Sequence, residues 1–366
     1  MSAAATQAEQ TQKSPLHTRI CDLFGVEYPI VQTGMGWVSG PALTAATSSA
    51  GGLGIIAAAT LTFEQLQDAV WQVKKATDKP FGVNFRTDQD DIQKRIDFII
   101  QEGVKVASFA QAPGEAIVKK LKDAGVVTMP TIGAKRHAEK VAAWGVDAVI
   151  AQGHEGGGHT GSIPTSLLLP QVCSSVDIPV LGAGGFSDGR GLVAALAYGA
   201  EGIAMGTRFL LTQESQVPQS IKDAYVSTNI NGTVVTKSID GYPQRVIRTA
   251  MVDKLEKASF VTRFLKALGY ALAFRKHTQT SLMALVREGL AMKAAGHLTW
   301  SQLAMAANAP MLTKASMVDG NLDVGILPTG QVVGRIDELP TVAELLGRIM
   351  QEAEETLTRL ERPQSE

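Results

Sequence analysis

The chain has 366 residues, 45% hydrophobic and 19% charged, which is enough apolar material for a large core. A formal net charge of −1 excludes a globally basic nucleic-acid or membrane-surface binder, and no run approaches the ~18–20 apolar residues that span a bilayer. Two cysteines, Cys21 and Cys173, offer no CxxC pair or disulfide framework and fit a reducing cytoplasm.

Residues 1–15 lack an apolar signal core and read as a disordered tail. Short β-branched runs then recur at Ile30–Gln32, Leu53–Ala58, Phe81–Phe85, Val106–Ala110, Val126–Ile132, Ala148–Gly153, Pro179–Gly185 and Ile203–Phe209. Helical patterns such as Phe63–Lys74 and Ala134–Trp144 lie between them. One strand and one helix per ~20–30 residues implies parallel strands, and eight units point to an α/β fold of the (β/α)8 TIM-barrel type. An open doubly wound sheet is the alternative, but no GxGxxG follows the first strand. After Phe209 the rhythm changes. Residues 215–324 carry helical patterns (Val252–Leu268, Ser281–Ala295) and read as a helical lid inserted after the eighth strand. The barrel then comprises 16–214 and 325–360, closing with an amphipathic helix near Met350.

Three strand ends carry the chemistry. The sixth opens into AQGHEGGGHTGS (Ala151–Ser162), where glycine lets a flat ligand approach bare backbone and His159 can exchange a proton near neutral pH. His154 lies five residues earlier without Cys or Asp at ligand spacing, which argues against zinc. Glu155 reads equally as an orienting carboxylate or a loop anchor. The seventh and eighth ends, LGAGGFSDGRG and AMGTRF, are where barrels commonly bind phosphate, through Gly184, Gly185 and the Ala204–Met205–Gly206–Thr207 turn. At the third end Asn84 can donate and accept hydrogen bonds, while Met35 and Trp37 near the first can pack on a ring. In the lid, eleven Lys and Arg face four acidic residues between Lys237 and His297, a local excess of seven positive charges. This reads either as a solvated helix surface or as a landing site for an anionic phosphate-bearing thioester. Arg245, Arg248 and Arg275 are the candidate contacts.

VQTGMG, GGLGIIA, GVNF, AQGHEGGGHTG, GAGGFSDGRG and MGTRF fall in the order and spacing of the nitronate monooxygenase flavoproteins. The related flavin-dependent enoyl-acyl carrier protein reductases share the plan, and the resemblance runs from about Leu16 to Met350. It implies FMN bound noncovalently at the barrel mouth, its ring and ribityl chain near Thr33, Gly34, Met35, Asn84, Gln152 and Gly157. The phosphate falls at Gly185, Gly206 and Thr207. His159 matches the family's catalytic base. The chain departs from the pattern with T-G-M where A-P-M is usual at the first strand end, and with Gly156 in place of a common alanine. VQTGMGWV, EGGGHTG, DGRGL and NGTVVTK…DGYPQRVIRT resemble a subgroup linked to CoA thioesters of steroid ring degradation.

Three functions follow as expectations. One is dehydrogenation of a CoA thioester, favoured by the basic lid. Another is nitronate oxidation with O2, because a nitro group and a thioester both acidify an α-hydrogen. The third is a flavin-free phosphate-ligand barrel, whose inosinate-type form needs a nucleophilic cysteine in a mouth loop. The partner in the first two is a small molecule, and a homo-oligomer is compatible with the sequence.

Overall fold

The computed structural model describes residues 14–257 and 309–361. The apolar runs form β1 (Ile30–Gln32), β2 (Leu53–Ala57), β3 (Phe81–Phe85), β4 (Val106–Phe109), β5 (Val127–Ile132), β6 (Val149–Gln152), a two-residue β7 (Gly158–His159), β8 (Val180–Ala183) and β9 (Gly202–Met205). All except β7 pair in parallel and close into a barrel. Val31 sits beside Leu53 on one side and Ala204 on the other, which completes the ring. The fold is the expected (β/α)8 barrel. Nearly every barrel residue is buried on both faces, so the strands read as continuous apolar runs rather than alternating ones.

Leu53, Ile55, Val106, Met129, Ile150 and Leu181 belong to one buried cluster with Ile20 and Phe24 of the leading helix Arg19–Phe24. That helix closes the end where the strands begin, and Arg19 pairs with Glu201 just ahead of β9. The opposite, carboxyl end is left for the long loops. Outside the barrel, the helix Phe63–Ala76 starts at a capping box: the Thr62 hydroxyl accepts from the Gln65 amide, and the Gln65 side chain accepts from the Thr62 amide. The last helix, Val342–Glu361, buries Val342, Leu345, Leu346, Ile349 and Ala353 at helical spacing. This stripe packs on the helix Gly189–Ala197 that follows β8. No helix among the described residues is long and apolar enough to cross a membrane.

Two expectations change. The eighth strand ends at Met205 rather than Phe209, because its partner β1 ends at Gln32, opposite Met205. Gly206 then takes helical backbone angles and Thr207–Leu210 turn into a short helix. The insertion is also not wholly helical. Besides the helices Gln219–Val226, Ala250–Lys257 and Ala309–Met317, it holds a hairpin of β10 (Thr233–Thr236) and β11 (Gln244–Ile247). β11 pairs antiparallel with β7, so the hairpin and the His159 loop make a small sheet. The remainder of Val252–Leu268 beyond Lys257, and all of Ser281–Ala295, lie outside the described residues.

Leu346 is fully buried between the closing helix and the barrel. Leu346→Ala is expected to lower unfolding stability by about 2–5 kcal/mol, measured as a lower denaturant midpoint with an unchanged slope.

Candidate active site

At the first strand end, buried Gln32 organises the turn: its amide oxygen accepts from the Ile55 amide and its nitrogen donates to Ser39 Oγ. The same Ser39 hydroxyl accepts from the Met35 amide and donates to the Thr33 carbonyl. Thr33 in turn donates through its amide and hydroxyl to the Met205 carbonyl, which joins the first and eighth strand ends. A Cβ at Gly206 would lie 3.2 Å from Met35 Sδ and 3.3 Å from Thr33 Oγ1, so these three predicted residues meet. Gly34 leans on Asn84 so closely that a Cβ would fall 2.4 Å from the Asn84 Cβ. Asn84 donates to Ser108 Oγ at 3.2 Å. Trp37 has φ of 65°, the only non-glycine positive value among the described residues. Its indole N–H donates to the Pro310 carbonyl, tying the first strand end to the returning insertion.

The seventh and eighth strand ends form a cradle. Gly184 and Gly185 take φ of 94° and 87°, conformations that suit glycine alone. The amides of Gly185, Phe186, Gly206 and Thr207 donate to no acceptor among the described residues. Four such donors on adjacent strand ends fit a phosphate monoester, and Gly185 is exposed to receive one. The N-terminus of the helix Gly189–Ala197 is already occupied by carboxylates, since Asp188 accepts from Gly191 and Glu352 accepts from Gly189. Phosphate affinity therefore rests on loop amides. The chain returning from the insertion closes the cradle: the Gly330 amide donates to Thr207 Oγ1, and the Gln331 amide donates to the Glu155 carbonyl. Gly157 lies against this return, where a Cβ would meet Gly330 N at 2.5 Å. The FMN implied by the sequence thus finds a phosphate cradle with a glycine-lined approach beside it. Ala204 and Met205 are buried in β9, directly ahead of Gly206.

His159 projects from β7 with 63% of its side chain exposed. Its Nε2 lies 2.7 Å from Oδ2 of Asp240, a carboxylate at the hairpin turn with only 7% exposure. Gln244 Nε2 donates to the same oxygen, and the Tyr242 amide donates to Oδ1 at 3.1 Å. Burial alone would raise the Asp240 pKa, but these donors and the His159 ring outweigh it and hold the carboxyl below its ordinary value. Tyr242 stands edge-on to the imidazole, ring centres 6.1 Å apart. Behind the ring, Gln152 Nε2 donates to the His159 carbonyl at 2.8 Å.

Several neighbours take structural roles. His154 satisfies the Gly161 carbonyl through Nδ1. Glu155 is the loop anchor, accepting from the amide and hydroxyl of Thr165. Arg245, expected as a surface contact, is 5% exposed. As β11 alternates, its guanidinium turns inward to the His154 carbonyl and Thr233 hydroxyl, so it braces the loop instead of meeting solvent. Arg248 is exposed and paired with Asp253 at 2.9 Å, and Arg275 lies outside the described residues. Cys173 ends the helix Thr165–Cys173, and burial pushes its thiol up to about 11; Cys21 is buried in the first helix. Neither supplies a mouth-loop nucleophile, which removes the inosinate-type reading. No group of three His, Cys, Asp or Glu among the described residues could hold a metal ion.

Asp240, Tyr242 and Gln244 were not anticipated. Their signal was the pair of β-branched runs TVVT and QRVI flanking an Asp-Gly step, the pattern of a hairpin.

An exposed histidine thus stands beside unpaired loop amides at the carboxyl end of a parallel barrel, and comparison with known proteins identifies the chain as an oxidoreductase. The chain belongs to the nitronate monooxygenase family, whose model matches residues 17–95 and 91–352. It is 54% identical over 340 residues, 93% of this chain and 96% of the other, to a Rhodococcus jostii protein named (3aS,4S,5R,7aS)-5-hydroxy-7a-methyl-1-oxo-octahydro-1H-indene-4-carboxyl-CoA dehydrogenase. A Mycobacterium tuberculosis protein of the same name is also 54% identical, over 341 residues, 92% of this chain and 96% of that one. Among solved structures, FabK from Thermotoga maritima superposes with a TM-score of 0.79 at 34% identity, covering 94% of this chain and 98% of its own.

Gly185→Val forces a β-branched residue to φ near 87° and fills the cradle. Relieving a strain of about 1–3 kcal/mol displaces the loop amides, so affinity for a phosphate-bearing flavin is expected to fall roughly tenfold or more, measured by fluorescence titration of ligand-free protein.

Proposed function

We propose that this chain is an FMN-dependent dehydrogenase of a CoA thioester, with His159 removing the proton α to the thioester carbonyl. One observation carries the reading. An exposed imidazole, backed by a buried carboxylate, stands on the same loop that walls the phosphate cradle. The names of the two 54% identical relatives support a bicyclic carboxyl-CoA as the substrate class.

The amides of Gly185, Phe186, Gly206 and Thr207 hold the phosphate of FMN. Thr33, Gly34, Met35, Asn84, Gln152 and Gly157 contact its ring and ribityl chain. Bound there, FMN supplies a two-electron acceptor for the hydride equivalent leaving the substrate. The thioester carbonyl acidifies the adjacent C–H, and a general base within hydrogen-bond reach contributes typically 10²–10⁴ to the rate. Arg248, exposed on the same hairpin as Asp240, meets the anionic CoA moiety. A second reading, nitronate oxidation, is favoured by the family match and uses the same base, because a nitro group activates its α-hydrogen alike.

Anaerobic mixing separates the two: a bicyclic carboxyl-CoA thioester is expected to bleach the flavin, whereas a nitroalkane is not. Bleaching by the nitroalkane alone would overturn the thioester reading. His159→Asn is expected to retain flavin while turnover falls by roughly 10²–10⁴, measured by steady-state kinetics. Arg248→Ala is expected to weaken thioester binding more at low than at high ionic strength, and binding indifferent to both changes would remove Arg248 from the contact.

A further inference from the structure

We propose that Asp240 fixes the tautomer of His159, so that Nε2 carries the proton and Nδ1 is the basic atom presented to the substrate. The inference rests on the reading of His159 as the base, and it makes Asp240 a positioning residue. An ionised carboxylate only accepts hydrogen bonds, so a 2.7 Å contact from Oδ2 to the neutral imidazole requires the proton on Nε2. Gln244 Nε2 sits 3.5 Å from the same ring nitrogen but donates to Asp240. It adds a second donor to Oδ2 and, at 3.5 Å from Nε2, lies too far to serve a basic Nε2 as well as the 2.7 Å contact serves the carboxylate. Nδ1 has no hydrogen-bond partner among the described residues, and the ring is mostly exposed, which leaves that lone pair open to a substrate.

The surroundings make the substitution Asp240→Asn diagnostic. The backbone amide of Tyr242 donates to Oδ1 and can do nothing else. The carboxamide oxygen must therefore face Tyr242, which turns the NH2 group toward His159 and toward Gln244, whose own amide flips so that its oxygen accepts. A donor at that position forces Nε2 to accept, and the ring adopts the Nδ1–H tautomer with no lone pair toward the substrate. The substitution preserves volume and the turn, so its effect is electronic and not a collapse of the hairpin.

The test uses flavin-loaded protein, 15N-labelled at its six histidines, at a pH where the ring is neutral. The His159 signal is assigned by its loss in His159→Asn. The wild type is expected to show the Nε2–H tautomer and Asp240→Asn the Nδ1–H tautomer. Turnover of Asp240→Asn should fall on the order of 10⁴-fold, the loss that accompanies a reversed tautomer behind a catalytic histidine, with flavin retained. Gln244→Met, which leaves the carboxylate in place, should keep Nε2–H. An Nδ1–H wild type would overturn the proposal. So would an Asp240→Asn protein that keeps Nε2–H and turns over within about threefold of wild type, or a tautomer change in Gln244→Met. If Asp240→Asn does not fold, the wild-type and Gln244→Met spectra still decide. An intact rate in His159→Asn would sink the base reading instead, while a dead His159→Asn beside an active Asp240→Asn would sink only the positioning role.

Discussion

The hydrogen bond between His159 and Asp240 spans 81 residues of sequence, and the rest of the mouth is arranged to allow it. Two residues of strand are too few to be stable alone. β7 persists because β11 pairs with it, Gln244 opposite His159 and Arg245 opposite Gly158. That register also sets the side chains. Gln244 reaches the carboxylate, and Arg245, next along the strand, turns to the other face and holds the His154 carbonyl from behind. Burying the Asp240 carboxylate without partners would be strongly unfavourable. Three donors answer it: the His159 ring, the Gln244 side chain and the Tyr242 amide. The hairpin is thus part of the active site and not merely a cover over it.

The cradle depends on a different constraint, backbone proximity. Gly157, the Thr329–Gly330 return and Thr207 pack at distances that leave no room for side chains. The sixth-strand loop, the return from the insertion and the eighth strand end therefore form one surface. This return is hydrogen-bonded to β11, where the Ile247 amide donates to the Leu327 carbonyl and the Thr329 amide to the Arg245 carbonyl, so the hairpin carrying Asp240 is joined to the chain that closes the cradle. His159 and the loop amides of Gly206 and Thr207 are thus tied to one another through backbone contacts.

How much of this the sequence disclosed follows from where burial leaves a mark. Barrel strands buried on both faces leave unbroken apolar runs, so all eight were legible, and the largest overshoot, Gly206–Phe209, arose because an apolar helix start resembles a strand continued. The glycines and His159 were legible from local spacing. Asp240 was not, since in the sequence it is one of four acidic residues in a basic stretch, and nothing local records that it becomes buried. Arg245 misled for the mirror-image reason: a cation in a basic stretch reads as solvated, yet strand alternation turned it inward. The hairpin strands are four residues each, joined by a seven-residue turn containing Pro243, a weak signal beside the helical periodicity on either side.

The two departures from the family pattern now have a common physical meaning. At 34 a glycine stands where proline is usual, and any Cβ there would lie 2.4 Å from the Asn84 Cβ. At 156 a glycine replaces alanine, and a Cβ there would lie 2.7 Å from Gln152 Nε2. Each missing Cβ lets a carboxamide side chain close in on the mouth, one at the third strand end and one at the sixth. With the commoner residues, Asn84 would have to retreat, and Gln152 would be pushed off the His159 carbonyl that it now holds at 2.8 Å. Neither departure touches Gly185, Phe186, Gly206 or Thr207; both act on carboxamide side chains at the carboxyl ends of the third and sixth strands, Gln152 being the one that holds the His159 loop.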